Sequence, residues 1–518
     1  MNHFMNSMRV KAWLALVAWL LFFIPSLLPG VSVTSVAHLL LAALCFSPLL
    51  LLRPVQPIVF GGLALLGCLN IVHASFFGAL ADEFFLATML RTTPGETAEF
   101  LPTIPGRAWV AVGFWLLACT WAGHTLWRTL PVLRGSSLLL RRVWQVAGLF
   151  WGLVLVYALV QQLNANTFMR KAKSLYPLHM VRATMRQQEI ANGLFQPPLL
   201  PVAQADPRAQ VDTVVVVLGE SATAQRWSLL GYQGADTNAP LANLPDTAAT
   251  TVLAQGWNTA AALPFMLTGM SARDSTARQA PSFIDLAQHA GYKTFAFTNS
   301  RFFSAQEDFF SYALRRSSAV YQKVGNGDPD EVLTASLRDA LADPAPRKLI
   351  VLHTYGSHPL PQERTPPGYR SMADAYDNSV HYTSDLLAQW MALLATASKD
   401  RSALLLYTSD HGVLLPPCVE DYRHGAGLSS LEVPMLVWAN TALRVQHPQV
   451  LPGFAQQPKA DGPAGAQEHT NALLAETAMR AVGYGALLAQ PDWPGSTNPG
   501  LEGRPWAELR QRDACALQ

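Results

Sequence analysis

Asp410, His411 and Gly412 stand together a short step after the apolar run Ala403 to Tyr407, and Glu220 follows a second such run, Thr213 to Leu218. Two carboxylates and an imidazole suit a borderline divalent cation, and zinc is the commonest ion for a mixed oxygen and nitrogen donor set. Each residue taken singly also has a plain reading, as a salt-bridged glutamate or a helix-capping aspartate. A further group stands in Gly256 to Gly269, which reads as a loop running into a helix. Thr259 then falls at the helix start, where backbone N–H groups and the dipole favour a phosphate. A threonine hydroxyl is a poor nucleophile unaided, but ligation to a metal lowers its pKa. The competing reading makes Thr259 an ordinary N-cap.

These residues need a scaffold. Short apolar runs alternate with longer helical patterns beyond residue 200, the pattern of an α/β sheet covered on both faces. The runs are Thr213 to Leu218, Lys293 to Phe297, Lys348 to Leu352, Ala403 to Tyr407 and Val433 to Trp438. The first four lead into Gly219-Glu220-Ser221, Thr298-Asn299-Ser300, His353 to His358, and Ser409 to Gly412. Ligands of open α/β sheets bind outside the carboxyl ends of the strands, so these groups should converge in one crevice.

The first part of the chain is different in kind. Of 518 residues 50% are hydrophobic and only 14% charged, and the long apolar runs lie before about residue 165, which points to a membrane domain. Segments near Val10 to Leu28, Val36 to Leu52, Pro57 to Leu80, Trp109 to Leu130 and Val143 to Leu163 each approach the roughly 20 residues a spanning helix needs. Asn70 and His73 interrupt the third. Arg9, Lys11, Arg53, Arg128, Arg134, Arg141 and Arg142 mark one side as cytoplasmic, against Arg170, Lys171 and Lys173 after the fifth segment. An odd number of spans from an inside N-terminus delivers the second part to the periplasm or cell exterior. Asn164 to Gly193 reads as a basic helix that could lie in the membrane interface or simply connect, and Pro197, Pro198 and Pro201 end it.

The net charge of +2 and the lack of a basic, aromatic-interleaved stretch give no sign of nucleic-acid binding. Five cysteines include no zinc motif, and only Cys418 and Cys515 lie in the second part, where an oxidising compartment would allow them to pair. Any metal must use oxygen and imidazole ligands.

VVVVLGESATAQRWSLLGY (Val214 to Tyr232), NTAAALP, HTYGSH, AYDNSVHYTSD and TSDHG together resemble the periplasmic phosphoethanolamine transferases of the alkaline phosphatase and sulfatase superfamily, which modify lipid A and lipopolysaccharide core. The resemblance implies an N-terminal five-helix transmembrane domain (residues 1–163), a juxtamembrane helix and linker (164–200) and a C-terminal periplasmic α/β sulfatase-like domain (201–518) with a mainly parallel central sheet. It implies Zn2+ held by Glu220, Thr259, Asp410 and His411, with Thr259 also the nucleophile. Asn299, His358 and His424 would hold the transferred phosphate, the two histidines also moving protons, and Glu96 would lie near the donor headgroup.

The implied reaction takes phosphoethanolamine from phosphatidylethanolamine to lipid A, lipopolysaccharide core or another envelope glycan through a phosphothreonine-type intermediate. The enzyme would be a monomer among the lipids of a bacterial inner membrane, crossing it several times. The alternative on the same scaffold is a phosphoglycerol transferase or related phosphodiester hydrolase. A sulfatase would need Cys or Ser where Thr259 stands. Val413 departs from the acidic residue common after Asp-His-Gly in the family, and the scarcity of cysteine leans the acceptor toward core sugars or glucans.

Overall fold

The computed structural model describes residues 2–28, 30–77, 94–134, 175–195, 204–272 except 245, 280–300, 314–455 except 420, and 468–485, with isolated short pieces elsewhere. The chain forms two compact units, one of residues 1–90 and 104–189, the other of residues 91–103 and 190–518.

The first unit is helical. Among the described residues Val33–Leu50, Arg53–Phe77 and Gly106–Pro131 are long and apolar enough to cross a membrane, and Val10–Leu21 is a shorter apolar helix. The fifth expected segment lies largely outside the described residues. Asn70 does not break the third helix, which runs unbroken over Gln56–Phe77. Its Nδ2 donates to Leu66 O at 2.8 Å, and its Oδ1 accepts from Ala81 N at 3.0 Å and lies 2.9 Å from His179 Nε2. A polar side chain is tolerated among apolar helices when its bonds are made inside the protein. The Arg53 guanidinium lies over the Trp127 ring at 4.7 Å. The turn before the third helix and the far end of Gly106–Arg134 therefore share one end of this unit, as the basic-residue pattern expects.

The second unit is built on a seven-stranded sheet: β1 (Thr213–Gly219), β2 (Thr247–Leu253), β3 (Lys293–Thr298), β4 (Val320–Lys323), β5 (Lys348–His353), β6 (Ala403–Ser409) and β7 (Glu432–Ala439), in the order β2-β7-β6-β1-β5-β3-β4. β1, β3, β4, β5 and β6 are parallel, whereas β7 runs against both β6 and β2. The mainly parallel sheet expected from the sequence is thus mixed: Val433 to Trp438 forms the antiparallel member. β2 and β4, at the two edges, did not stand out in the sequence. β1 (TVVVVLG) is buried along its whole length because it lies between two strands and under cover on both faces.

Val215, Val217, Phe295, Phe297, Ile350, Leu352, Leu405 and Tyr407 point to one face and pack with Leu337, Tyr376 and Trp390, which come from the helices Val332–Ala342 and Ala375–Ala397. Thr259–Thr268, Phe283–His289 and Leu473–Ala481 cover the other face. Leu352 is fully buried in the middle of this core. Leu352→Ala is expected to destabilise the second unit by about 2–5 kcal/mol, read as a lowered urea midpoint.

Candidate active site

Register brings the chemistry together. Gly219 of β1 is level with Ser409 of β6, so Glu220 and Asp410 leave adjacent strands side by side. Leu218 pairs with His353, and Thr298 with His353, so the loops after β5 and β3 leave the same edge. β2 runs parallel to β6 through their shared antiparallel neighbour and ends at Leu253. From there Gly256 leads into the helix Thr259–Thr268.

The N-cap of that helix is Asn258, whose Oδ1 accepts from Ala261 N at 3.0 Å. Thr259 is therefore the first helical residue and does no capping. Its hydroxyl donates to Glu220 Oε2 at 2.9 Å and lies 3.5 Å from His411 Nε2. His411 Nε2 lies 3.3 Å from Glu220 Oε1 and 3.5 Å from Asp410 Oδ2. His411 Nδ1 lies 2.8 Å from Gly412 O. A carbonyl only accepts, so Nδ1 carries a proton and Nε2 is the ligand atom of the neutral ring.

One donor atom each from Glu220, His411 and His424 lies within 4.8 Å of the others. The His424 ring stands edge-on to those of His411 and His358, at centroid distances of 4.8 and 5.3 Å. Glu220, Thr259, Asp410, His411, His358 and His424 thus converge.

Asn299 is buried nearby, but its Nδ2 donates to Asp328 O at 2.6 Å and Asp330 Oδ1 at 2.7 Å rather than to the cluster. Glu96 lies in the helix Pro94–Thr103, and its side chain is outside the described residues. Cys418 is disulfide-bonded, and Cys515 is outside the described residues.

Sequence reasoning missed the residues that hold these groups in place. Asp330 accepts from Tyr355 N and Gly356 N, both at 2.8 Å, as well as from Asn299. It fixes the loop whose Ser357 N donates to Glu220 O at 3.0 Å. Gly356 sits at φ +52°, and a Cβ there would lie 2.4 Å from Glu220 O, so only glycine fits. Nothing in the pattern around Asp330 distinguishes it from a surface acid. Ser221 lies inside VVVVLGESATAQRWSLLGY and Tyr376 inside AYDNSVHYTSD, but no periodicity or spacing gives either of them a role.

The electrostatics fit a cation. Burial alone would push Glu220 up, but the hydrogen bond and charge of His411 hold its carboxyl well below the usual range. Burial and the neighbouring Glu220 charge push Asp410 up. Burial opposes charge on His411, yet the adjacent Asp410 and Glu220 carboxylates raise it to about 9. Buried Asp410 Oδ2 has no hydrogen-bond partner. Two carboxylates, an imidazole and a hydroxyl whose donor atoms face one another are a donor set suited to a divalent cation.

A seven-stranded α/β sheet with these donors gathered at its carboxyl edge defines an α/β domain with a candidate metal site. Residues 212–474, half of the chain, match the sulfatase family, and the chain belongs to that family. The chain is 33% identical over 247 residues to the putative transferase YhbX of Escherichia coli K12, covering 45% of this chain and 44% of that protein. It is 27% identical over 414 residues to the phosphoethanolamine transferase EptA of E. coli K12, covering 70% of this chain and 72% of that one. The chain spans about half the length of the curated relatives it matches first. The integral membrane lipooligosaccharide phosphoethanolamine transferase A of Neisseria meningitidis shares its fold, with a TM-score of 0.63 at 19% identity over 91% of this chain and 95% of that one. So does the periplasmic domain of E. coli EptC in complex with Zn, with a TM-score of 0.50 at 21% identity over 62% of this chain and the whole of that one.

A cation entering this site must displace the proton that His411 holds below about pH 9. Apparent affinity is expected to rise with pH by about one log unit per pH unit up to that point, one proton leaving per ion bound, and then to level off. The dependence is expected to steepen at lower pH, where Asp410 also gains a proton. Zn2+ titrations in buffers of different pH check this.

Proposed function

We propose that this chain is a membrane-anchored, zinc-dependent transferase that moves phosphoethanolamine from phosphatidylethanolamine to an envelope glycolipid, lipopolysaccharide core or lipid A. In this reading residues 1–163 cross the inner membrane as five helices, residues 164–200 link, and residues 201–518 work in the periplasm. The observation that carries it is the setting of Thr259, which is released from capping by Asn258, buried, and hydrogen-bonded to a carboxylate among metal-type donors. The phosphoethanolamine transferases among the relatives supply the group transferred.

Glu220, Asp410, His411 and Thr259 would hold the ion. When bound, zinc would lower the pKa of the threonine hydroxyl and offset charge on the phosphoryl oxygens. The chain's own residues do the rest. Glu220 Oε2, 2.9 Å from Thr259 Oγ1, orients the hydroxyl, whose proton would go to solvent when the ion binds. Thr259 Oγ1 then bonds to phosphorus as the bond from phosphorus to the diacylglycerol oxygen breaks, and His358 gives the leaving oxygen a proton, since burial and the neighbouring His411 and His358 hold His424 well below the usual imidazole range. His358, now neutral, takes the proton of the acceptor hydroxyl, whose oxygen displaces Thr259 from phosphorus. Thr259 leaves as the alkoxide that made the first attack.

Two measurements test this. Protein incubated with phosphatidylethanolamine alone is expected to release diacylglycerol and retain phosphoethanolamine on the peptide containing Thr259; phosphatidylglycerol should give neither. Thr259→Ala is expected to lose both, and Thr259→Ser to keep part of the activity because a hydroxyl remains. A folded Thr259→Ala protein that still transfers phosphoethanolamine refutes the mechanism. A reporter active only outside the cytoplasm, fused near Asp206, is expected to be active; a stably made but silent fusion overturns the topology.

A further inference from the structure

Ser221 turns the chain between the two carboxylates. Its φ is +59°, a left-handed conformation that a residue with a Cβ adopts only when its surroundings impose it. That conformation lets one residue touch both acids. Ser221 N donates to Asp410 Oδ1 at 3.2 Å, and Ser221 Oγ donates to Glu220 Oε1 at 2.7 Å. Without the turn, neither carboxylate would be held at its present spacing by this loop.

The restraint comes from Tyr376, in the first turn of the helix Ala375–Ala397. Its hydroxyl donates to Ser221 O at 2.7 Å and accepts from Thr223 N at 2.9 Å. A phenol has one proton to give and lone pairs to receive with, so both bonds form at once. They clamp the peptide on either side of Ala222, whose own N–H goes to Ser409 Oγ at 2.8 Å. Tyr376 is itself locked. It is fully buried and stacks on Tyr422 at 4.8 Å. The Tyr422 hydroxyl donates to Asp374 Oδ2 at 2.5 Å, and Asp374 caps the helix that carries Tyr376.

We infer that Tyr376 is a positioning residue of the metal centre: by holding Ser221 at positive φ, its hydroxyl sets the Glu220 and Asp410 carboxylates at the spacing a cation needs. The inference rests on the metal site of the proposed function. A tyrosine that only filled the core would affect stability and leave the folded protein's metal affinity alone.

The test measures Zn2+ affinity of the full-length protein in detergent by competition with a chromophoric chelator, with circular dichroism to confirm folding. Wild type is compared with Tyr376→Phe, Ser221→Gly and the double variant. Tyr376→Phe is expected to weaken Zn2+ binding about 10- to 100-fold, the range for losing a group that orients metal ligands. In the Ser221→Gly background the same substitution should cost several-fold less, because glycine takes this φ without a Cβ penalty.

Wild-type affinity in a folded Tyr376→Phe protein overturns the inference, as does an equal loss in both backgrounds. If Tyr376→Phe fails to fold alone but folds and binds Zn2+ once Ser221 is glycine, the inference stands; failure in both backgrounds overturns it. A wild-type protein that binds no Zn2+ overturns the metal reading itself, and that outcome is distinct from the others.

Discussion

Two carboxylates buried side by side are the constraint on which the catalytic unit turns. Glu220 and Asp410 are both fully shielded from water, and they leave adjacent parallel strands at the same level. Like charges in such a place repel and lose their hydration, so one must hold a proton or a cation must lie between them. In the protein alone His411 supplies part of the answer, with Nε2 facing an oxygen of each acid. It does not complete it, because Asp410 Oδ2 still lacks a hydrogen bond. A divalent ion satisfies both acids and the imidazole at once.

The surrounding structure holds this arrangement in place. Each acid is gripped through backbone as well as side chain: Asp410 Oδ1 accepts from Ser221 N and His411 N, and Asn471 Nδ2 donates to Asp410 O at 2.9 Å. Glu220 is held from the opposite side by the loop after β5, which Asp330 fixes through two hydrogen bonds. The residues that convey this order are a serine in a left-handed turn and a glycine where a methyl group would collide. Both are local departures from regular backbone, and they sit where the donors must be placed to within a fraction of an ångström.

What the sequence disclosed, and what it hid, follows from where information about burial is stored. β1, β5 and β6 are buried on both faces, so each is written around an unbroken apolar run, and the residues just past those runs form the site. β2 (TAATTVL) is half-exposed at the sheet edge and has no such run, yet it delivers Thr259. Direction is also unwritten: Val433 to Trp438 is as apolar as its neighbours, and only the chain path through Gly412 to Leu431 makes β7 antiparallel. Asn299 follows β3 as expected, but its amide partner is an acid 31 residues further on, a pairing no local pattern encodes. In the helical unit Asn70 reads in the sequence as an interruption of a span. Its partners, at Leu66, Ala81 and His179, are mostly remote in sequence and turn it into a satisfied interior contact.

That contrast gives a way of telling structural from functional polar burial in one molecule. Asn70 uses both ends of its amide on protein partners, and its helix continues undisturbed. Buried Asp285 is paired with Arg316 and with Ser282 of its capping box, and buried Glu476 with Arg480 one turn away. Each of these groups meets opposite or complementary partners, so the fold needs nothing more from outside. At Glu220 and Asp410 the protein sets acid beside acid and leaves an oxygen unpaired. Had stability been the only demand, an amide at either position would have removed the repulsion; two acids kept there are a site that a positive charge from outside the chain would complete.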